Sequence, residues 1–268
     1  MTGGTSPAGA TLRIALGEYD TGWHTPDASL ASADSLVRDA VGCGARVVVL
    51  PEMAPSGFTM EAEQAASLES PAVKALQAMA RRHDTWLIAG VALREPAGPR
   101  AEGSCVVNAA LAIDPSGAIV AVHRKQRLFA FAGEDEVYTA GQQGTVVTID
   151  GVRVGMFICY ELRFPEVFAE VASQCDCMVV IANWPAARRP HWDVLLRARA
   201  IENQCAVLGV NRIGEGGGII YDGGSAAYDA WGDPLRSEAG CGVPVVLVDA
   251  GAVAAVRERY PFARDRVV

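Results

Sequence analysis

The feature of this sequence that most constrains its fold is the alternation of short apolar runs with helix-like segments. Strand-like runs at residues 12–19, 46–52 and 86–93 are separated by segments of helical periodicity at residues 27–44 and 71–84. This alternation is typical of α/β proteins. The second run contains Val-Val-Val-Leu without a polar interruption, which favours a strand covered on both faces. The pattern predicts a central sheet with helices packed outside it.

The rest of the chain combines this alternation with hairpins. Pro115-Ser116-Gly117 and Asp150-Gly151 each separate two strand-like runs, so each predicts a β-hairpin. Residues 94–105 hold two prolines and two glycines and are predicted to form an exposed loop. Residues 214–218, Gly-Glu-Gly-Gly-Gly, lack the Lys-Ser/Thr ending of a phosphate-binding loop, so we expect a flexible loop there. A turn at residues 230–233 predicts a further strand pair.

Length and composition favour one folded unit. The chain has 268 residues, of which 50% are hydrophobic, and this is enough to form a sizeable core and to exclude disorder along the whole length. We expect residues 1–10, which are uncharged and rich in small residues, to be a flexible leader. Residues 11–268 show neither a repeat nor a compositional break, so they are predicted to form a single domain.

The charge of the chain argues against two classes of partner. Twenty-three Lys and Arg stand against 31 Asp and Glu, giving a net charge of −8, which disfavours binding to nucleic acid or to an anionic membrane. The sequence also lacks a run of about 18 apolar residues that would predict a membrane span, and its start does not resemble an export signal.

The cysteines and histidines show no metal-binding or secretory pattern. Seven cysteines are scattered without a C-x-x-C pair, which is typical of a protein from the reducing cytoplasm. The four histidines share no ligand spacing with each other or with the cysteines. We therefore expect a cytoplasmic protein without a metal site.

Three reactive side chains come at the ends of apolar runs. Cys159 follows Val-Gly-Met-Phe-Ile, and Glu52 and Lys125 end two other strand-like runs. Because strand ends at one edge of an α/β sheet collect the ligand site, we expect the three to meet there. A thiol has a pKa of about 8.5, so it needs a base such as Glu52, and the ammonium of Lys125 would balance developing negative charge. From position alone, an inert thiol and two solvated charges are the simpler interpretation.

The contexts of these residues resemble the nitrilase superfamily of carbon-nitrogen hydrolases. The matching segments are LPEMAPSGF around Glu52, HRKQRLF around Lys125, FICYELRFPE around Cys159, and the later IANWPAARRPHWDVLLRARAIENQ. The resemblance extends over residues 12–262. The run from Lys125 to Phe129, with the later Tyr-Thr-Ala-Gly, is most similar to bacterial omega-amidases of the YafV type.

The sequence departs from that subfamily at two positions. Arg127 stands where those proteins usually carry His. Glu161 stands where the Asp of a Cys-Tyr-Asp run is common. Both departures leave the Glu, Lys and Cys of the resemblance intact, so they affect only the detail of the expected substrate.

The resemblance implies a fold and a reaction. The fold is an α/β four-layer αββα sandwich, with subunits that pair into a homodimer. The reaction uses a Glu52-Lys125-Cys159 triad and needs no metal or organic cofactor. Glu52 is expected to take the thiol proton, while Lys125 and the backbone N–H of Tyr160 stabilise the oxyanion. We expect burial to raise the pKa of Glu52.

A second glutamate is implied near the lysine, where it orients the lysine or holds the substrate amide. Glu134 matches this position, and Glu136, two residues away, is the alternative. Both candidates stay open at the level of sequence.

Other candidates have two interpretations each. Trp184, Phe58 and Phe129 line a pocket or simply pack. Arg163 binds a substrate carboxylate or forms an ion pair with Glu161 or Glu166. Arg188 and Arg189, in the loop after Trp184, either offer another contact for a substrate carboxylate or, as the preferred interpretation, are solvated loop charges. Arg197, Arg199 and Glu202 are expected to lie on a helix surface or at a subunit interface.

Three functions follow, in order of preference. The first is an omega-amidase that hydrolyses the omega-amide of a small dicarboxylic acid such as α-ketoglutaramate. The second uses the same triad on another amide, a nitrile, an N-carbamoyl amine or deaminated glutathione, or in N-acyl transfer. The third is a non-catalytic interaction protein, which the complete triad argues against.

Overall fold

Two β-sheets form the inner layers of the protein. The computed structural model describes residues 9–96, 103–237 and 240–265. Its strands are β1 Thr11–Leu16, β2 Val47–Val49, β3 Trp86–Pro96, β4 Ser104–Ile113, β5 Ile119–Arg124, β6 Thr145–Ile149, β7 Val152–Ile158, β8 Cys177–Ala182, β9 Ala206–Asn211, β10 Ile213–Gly216, β11 Ile219–Asp222, β12 Ala226–Tyr228 and β13 Val245–Asp249. The first sheet has the order β13-β1-β2-β3-β4-β5 and the second β12-β9-β8-β7-β6, and β10 pairs with β11 alone.

Helices cover the outer face of each sheet. The helices of the described residues are α1 Pro26–Gly42, α2 Pro71–His83, α3 Glu134–Val137, α4 Pro165–Val171, α5 Arg189–Asn203 and α6 Ala250–Arg259, of which α1, α2, α4 and α5 lie on the outer faces. The apolar faces of α1 and α2 pack on the first sheet, and those of α4 and α5 pack on the second. The layers are therefore helix, sheet, sheet, helix, which is the α/β four-layer αββα sandwich that the resemblance implied.

The strands at the centre of each sheet are buried on both faces. In β8, Cys177, Val179 and Ile181 face the core between the sheets, whereas Met178 and Val180 face the helices α4 and α5. In β2, Val47 and Val49 face the core between the sheets and Val48 faces α1 and α2. This strand is covered on both faces, as its uninterrupted apolar run predicted. Parallel pairing of β1 with β2 and β3, and of β7 with β8 and β9, places the carboxyl ends of these central strands together.

Both predicted hairpins are present. Gly117 has φ 82° between β4 and β5, and the Asp114 carboxylate accepts hydrogen bonds from the N–H groups of Ser116 and Ala118. Asp150 and Gly151 join β6 to β7, and both have positive φ, as the tight turn between two strands requires.

Two predicted loops are shorter than expected. β3 and β4 continue their pairing as far as Pro96 and Ser104, so the predicted loop at 94–105 begins and ends inside the sheet, and residues 97–102 lie outside the described residues. The prediction of a flexible loop at residues 214–218 was wrong. The segment is the hairpin β10–β11, because Gly217 and Gly218, at φ 58° and 76°, form a tight turn that lets Gly216 pair with Ile219.

Two further expectations about individual side chains need correction. Cys43 at the end of α1 is joined to Cys241 by a disulfide, which the scattered cysteine spacing did not indicate. Arg199 is not a surface charge, because it is buried and donates a hydrogen bond of 2.7 Å to the carbonyl of Leu162.

The ends of the predicted single domain are only partly described. Residues 1–8 of the expected leader lie outside the described residues, while the carbonyl of Ala10 accepts a hydrogen bond of 3.0 Å from the N–H of Ala250. The turn predicted at residues 230–233 is present, but its second arm is reduced to one bridge between Tyr228 and Pro234. In the described part of the chain, no helix is long and apolar enough to cross a bilayer.

Candidate active site

Glu52, Lys125 and Cys159 meet at one end of the sandwich. Glu52 and Lys125 follow strands of the first sheet, but Cys159 follows β7 of the second, so the three lie between two sheets and not on the edge of one as expected. Asn183, which follows β8, links the sheets by donating its backbone N–H to Oε2 of Glu52 at 2.9 Å. The structure thus brings the three predicted residues into one buried cluster.

Glu52 is fully buried and held from three sides. Its Oε1 accepts hydrogen bonds from Lys125 Nζ at 2.9 Å and from Asn108 Nδ2 at 2.7 Å. The Asn183 side chain also donates to the backbone carbonyl of Glu52 at 2.6 Å. The hydrogen bonds to Oε1 and Oε2 together hold the carboxylate in one orientation, and the bond to the carbonyl holds the backbone.

The pKa of Glu52 moves in the direction opposite to the one we expected. Burial favours the neutral acid, but the charge of Lys125 and hydrogen bonds from Lys125, Asn108 and the Asn183 backbone outweigh it, so the pKa lies below its ordinary value. The expectation of a raised pKa considered burial alone and was wrong. Glu52 therefore rests as a carboxylate, which is the form that accepts a proton.

Lys125 lies between two carboxylates. Its Nζ is 2.9 Å from Oε1 of Glu52 and 2.9 Å from both oxygens of Glu134, and it lies 5.4 Å from the centre of the Phe58 ring. Burial alone would lower the pKa of Lys125, but the charges of Glu134 and Glu52 raise it well above its ordinary value. Lys125 is therefore a fixed cation and does not act as a base.

The contacts distinguish Glu134 from Glu136. Glu134 is fully buried, and besides Lys125 it accepts hydrogen bonds from Asn108 Nδ2 at 2.7 Å and from the N–H of Phe129 at 2.6 Å. Glu136 is exposed on the same single turn of α3. Of the two candidates, Glu134 is thus the one that holds the lysine.

Cys159 has an unusual backbone conformation. It opens the 3₁₀ turn Cys159–Arg163 directly after β7, and its φ is 45°, in the left-handed region that residues with a Cβ rarely adopt. Its Sγ is half-buried and lies 3.9 Å from the carbonyl of Asn183. Such a turn presents the thiol at the end of a rigid strand.

The electrostatics of the site favour the neutral thiol at rest. Burial raises the pKa of Cys159 well above its ordinary value, and the negative charges of Glu52 and Glu134 raise it further against the opposing effect of Lys125. Two carboxylates already surround one ammonium, so a thiolate would add a second uncompensated negative charge. A proton that moves from Cys159 to Glu52 leaves the total charge unchanged, so the ionisation of the thiol is coupled to that of Glu52.

A pocket opens above Cys159. It is lined by Phe58, Lys125, Phe129, Ala132, Cys159, Tyr160, Arg163, Asn183, Trp184, Pro185, Arg188, Ile219 and Tyr221. All of the predicted aromatic residues therefore line it, and the β10–β11 hairpin contributes its last two members. Burial raises the pKa of Tyr221 to about 12, so its hydroxyl is a hydrogen-bond donor at neutral pH.

Two arginines lie on the wall of this pocket. The guanidinium of Arg163 stacks 4.8 Å from the Trp184 ring and that of Arg188 lies 5.4 Å from the Phe129 ring. Within residues 9–96, 103–237 and 240–265, neither forms an ion pair with a carboxylate, and Arg163 Nη2 contacts only the ring nitrogen Nδ1 of His191, at 3.2 Å. Arg188 is half-buried and lines the pocket, so of its two interpretations a contact for a substrate carboxylate stays open.

The ion pair considered for Arg163 does not form. Glu161 points into the protein and meets His123, at 3.0 Å, and Glu166 meets Arg127 at 3.5 Å. Arg189 is bound at 2.9 Å to Asp193 on its own helix and so is no free loop charge.

The predicted aromatic residues both pack and line the pocket. Trp184 is buried, contacts Trp192 and donates its indole N–H to the Arg188 carbonyl at 2.8 Å. Tyr160 packs 4.8 Å from the Phe129 ring. The two interpretations offered for these residues are therefore not exclusive, because packing fixes the wall of the pocket.

Sequence reasoning missed two amides that join the site. Asn108 bridges Glu52 and Glu134, and Asn183 holds Glu52 from the second sheet. Both interrupt otherwise apolar runs, at Val-Val-Asn-Ala-Ala and Val-Val-Ile-Ala-Asn, and that interruption was the available signal. Among the described residues, no group of three or more His, Cys, Asp or Glu is arranged to hold a metal ion.

Comparison with known proteins assigns the class. Residues 13–258 match the family model of carbon-nitrogen hydrolases, and the chain belongs to this family. It is 36% identical over 260 residues to the omega-amidase YafV of Yersinia enterocolitica, covering 96% of this chain and 97% of that protein. It is 30% identical to the 2-oxoglutaramate amidase of Bacillus subtilis, covering 92% and 95%.

Solved structures agree with this class. A carbon-nitrogen hydrolase superfamily protein of Xanthomonas campestris, with an arsenic adduct in its active site, superposes with a TM-score of 0.85 at 33% identity, covering 96% of this chain and 98% of that one. An amidase from Nesterenkonia sp. AN1 superposes with a TM-score of 0.76 at 25% identity, covering 96% and 99%. In it, the acetamide moiety of fluoroacetamide is covalently added to the active-site cysteine.

Proposed function

We propose that this carbon-nitrogen hydrolase is an omega-amidase, which releases ammonia from the omega-amide of a small dicarboxylic or oxo-dicarboxylic acid. Cys159 is the nucleophile, Glu52 the base and acid, and Lys125 the cation that balances the oxyanion. The relatives named omega-amidase YafV and 2-oxoglutaramate amidase support this choice within the family.

The observation that carries the substrate class is the pair of unneutralised guanidiniums beside the thiol. Arg163 and Arg188 line the pocket that also contains Cys159, and both are packed on aromatic rings that limit their movement. A substrate with an amide at one end and a carboxylate at the other would place its carboxylate against them. A neutral amide leaves both cations without a partner.

Acylation needs one proton transfer to a prepared base. Glu52 takes the Sγ proton of Cys159 while sulfur forms a bond to the amide carbon and the carbonyl electron pair moves to oxygen. Lys125 and the backbone N–H of Tyr160 stabilise that oxyanion. Glu52 then gives its proton to the amide nitrogen as the carbon–nitrogen bond breaks, which releases ammonia and leaves a thioester.

Deacylation repeats the same transfers with water. Glu52 takes a proton from water while the water oxygen bonds to the thioester carbon, and Lys125 again faces the oxyanion. The intermediate collapses by breaking the carbon–sulfur bond, and the departing sulfur of Cys159 takes the proton back from Glu52. The carboxylic acid leaves and the resting thiol and carboxylate return.

The decisive experiment measures ammonia release from matched amides. We expect turnover of 2-oxoglutaramate and succinamate, and a much lower kcat/KM for butyramide, which lacks the carboxylate. Cys159→Ala should abolish turnover, because the nucleophile is lost, and Cys105→Ala, the same change at a half-buried free cysteine of β4, should not. Equal turnover of butyramide and succinamate, or an active and folded Cys159→Ala enzyme, would refute the proposal.

A wider panel distinguishes the alternatives. A deaminated glutathione amidase of Yersinia enterocolitica is 30% identical over 82% of this chain, so deaminated glutathione is the second candidate substrate. Simple nitriles, N-carbamoyl amines, glutamine and asparagine complete the panel, and hydroxylamine tests acyl transfer. Preference for any of these over both omega-amides would assign that activity in place of the proposed one.

We also propose that the chain works as a homodimer in the cytoplasm, where reducing conditions would keep Cys43 and Cys241 as thiols. The exposed face of α5 carries Val194 at 67% and Ile201 at 51% exposure, and the adjacent Trp231 is 50% exposed. Large apolar side chains that are exposed near one another are typical of a subunit interface. Light scattering of the purified protein tests this, and a monomer at all concentrations would exclude it.

A further inference from the structure

One buried carboxylate beside the nucleophile takes no part in the proposed chemistry. Glu161 lies two residues after Cys159, and its side chain has no solvent exposure. Its Oε2 accepts a hydrogen bond of 2.6 Å from the N–H of Ile158, and its Oε1 accepts one of 2.7 Å from the N–H of Gln126. Ile158 precedes Cys159, and Gln126 follows Lys125. A single carboxylate therefore joins the segment that carries the thiol to the segment that carries the ammonium.

A buried histidine completes this link from the opposite sheet. His123 Nε2 lies 3.0 Å from Oε2 and 3.2 Å from Oε1 of Glu161, and His123 is also without exposure. His123 is on β5 of the first sheet, two residues before Lys125, whereas Glu161 follows β7 of the second. Because both partners are buried, removal of one takes this hydrogen bond from the other at a place where water does not replace it.

The link also bears on the backbone of the nucleophile. Cys159 has φ 45°, and a left-handed conformation at a residue with a Cβ persists only where its surroundings hold it. The hydrogen bond from Ile158 N–H to Glu161 spans Cys159 and closes this turn. Without it, the adjacent residue is free to relax towards an ordinary φ, which moves Sγ away from its partners.

We propose that Glu161, together with His123, is a positioning residue that fixes Cys159 relative to Lys125. It acts through the two backbone N–H groups and does not touch the reacting atoms. The inference rests on the proposed function only for its turnover readout, since the placement of the thiol is also measurable by alkylation.

Glu161→Gln is the first variant. Glutamine keeps the size of the side chain but replaces one acceptor oxygen by an NH₂ group, which cannot accept a hydrogen bond from Ile158 or Gln126. We expect kcat for the omega-amide to fall about 10- to 100-fold, the loss typical of a misplacement near 1 Å, while KM changes less than about twofold. The matched control is Glu166→Gln, the same change at an exposed carboxylate, and it should behave as wild type.

A pair of histidine variants supplies an independent test if Glu161→Gln does not fold. His123→Gln keeps an N–H donor at a reach similar to that of Nε2, whereas His123→Leu removes it. We expect His123→Gln to retain most of kcat and His123→Leu to lose it as Glu161→Gln does. Equal impairment of the two histidine variants would overturn the proposal, because it would assign His123 a role in packing only.

Alkylation of Cys159 by iodoacetamide at neutral pH separates this proposal from the proposed function. We expect about 10-fold slower alkylation in Glu161→Gln and His123→Leu, because the thiol no longer faces Glu52 and Lys125 correctly. Glu166→Gln should keep the wild-type rate. Unchanged or faster alkylation in the folded variants overturns the positioning role. If the wild-type enzyme releases ammonia from no amide, the proposed function fails while these rates still decide the role of Glu161.

Discussion

Nζ of Lys125 lies 2.9 Å from Oε1 of Glu52, and both side chains are fully buried. Such a pair keeps the carboxylate ionised and the lysine protonated, so the resting site holds a base and a cation in contact. The thiol beside them stays neutral because its own pKa is raised. The nucleophile is therefore generated only when its proton moves to Glu52, which makes proton transfer part of the reaction with substrate.

This arrangement predicts the pH dependence of turnover. Because the pKa of Glu52 is below its ordinary value of 4.5, kcat/KM should stay level as the pH falls to about 5 and then decline as Glu52 is protonated. A pH profile of ammonia release from succinamate measures this. An acidic limb with its midpoint at about pH 6–7, the range of a carboxyl tuned upward by burial, would contradict the assignment.

The same shift affects stability with a defined sign. Since the folded chain lowers the pKa of Glu52, this group stabilises the fold above about pH 4.5, and the contribution disappears as the pH falls through the folded value. Denaturant unfolding of wild type and Glu52→Gln across this range measures the effect. The difference in free energy of unfolding between the two should shrink towards acidic pH, and a difference that grows would contradict the direction of the shift.

Replacement of Glu134 tests which glutamate holds the lysine. Glu134→Gln removes one of two negative charges beside Lys125 and weakens the hydrogen bonds from Lys125, Asn108 and Phe129 at a buried site, so we expect kcat to fall by about 100-fold. Glu136→Gln, the same change on an exposed residue of the same helix, should leave kcat near wild type. Steady-state kinetics decides between them, and a larger loss in Glu136→Gln would reverse the assignment.

The elements of the fold could be predicted because they are encoded locally. The buried face of α2 follows from the spacing of Val73, Leu76 and Ala80, and β8 is apolar at every position because helices and a second sheet cover it. The hairpin β10–β11 could not be read in the same way. Its glycines indicate a turn in any context, and its position over the pocket depends on contacts with distant residues.

The site was predictable in identity but not in arrangement. The signature contexts of Glu52, Lys125 and Cys159 single these residues out, but the meeting of two sheets that places them together is a property of the tertiary structure. The direction of the Glu52 pKa shift depends on contacts with three residues, Lys125, Asn108 and Asn183, which together outweigh burial. Asn108 and Asn183 supply two of these, and only their polarity within apolar runs marked them beforehand.

The disulfide predicts a dependence of stability on redox conditions. Cys43 and Cys241 are 198 residues apart in sequence, so their bond closes a long loop of the unfolded chain. Cys43→Ser should lower the free energy of unfolding by about 2–4 kcal/mol under oxidising conditions. Unfolding with and without dithiothreitol is the measurement. The reductant should destabilise wild type and leave Cys43→Ser unchanged, and an equal response of both would show that the bond does not form.

The two pocket arginines predict how the enzyme distinguishes substrates. Arg163→Met and Arg188→Met keep much of the packing on Trp184 and Phe129 but remove the charge. For an omega-amide with a free carboxylate we expect kcat/KM to fall about 10- to 100-fold, the loss typical of a charge-assisted hydrogen bond. The kcat/KM for butyramide should change little, because its methyl end never met the guanidiniums.

The ratio of these two kcat/KM values measures the effect of each arginine on the carboxylate, independent of any general loss of activity. Arg127→Met is the matched control, because its guanidinium also stacks on an aromatic ring, that of Phe164, at 5.7 Å, and lies outside the pocket lining. A preserved preference for succinamate in both Arg163→Met and Arg188→Met would exclude these residues as the carboxylate site. A loss of preference in only one would identify the arginine that binds the substrate carboxylate.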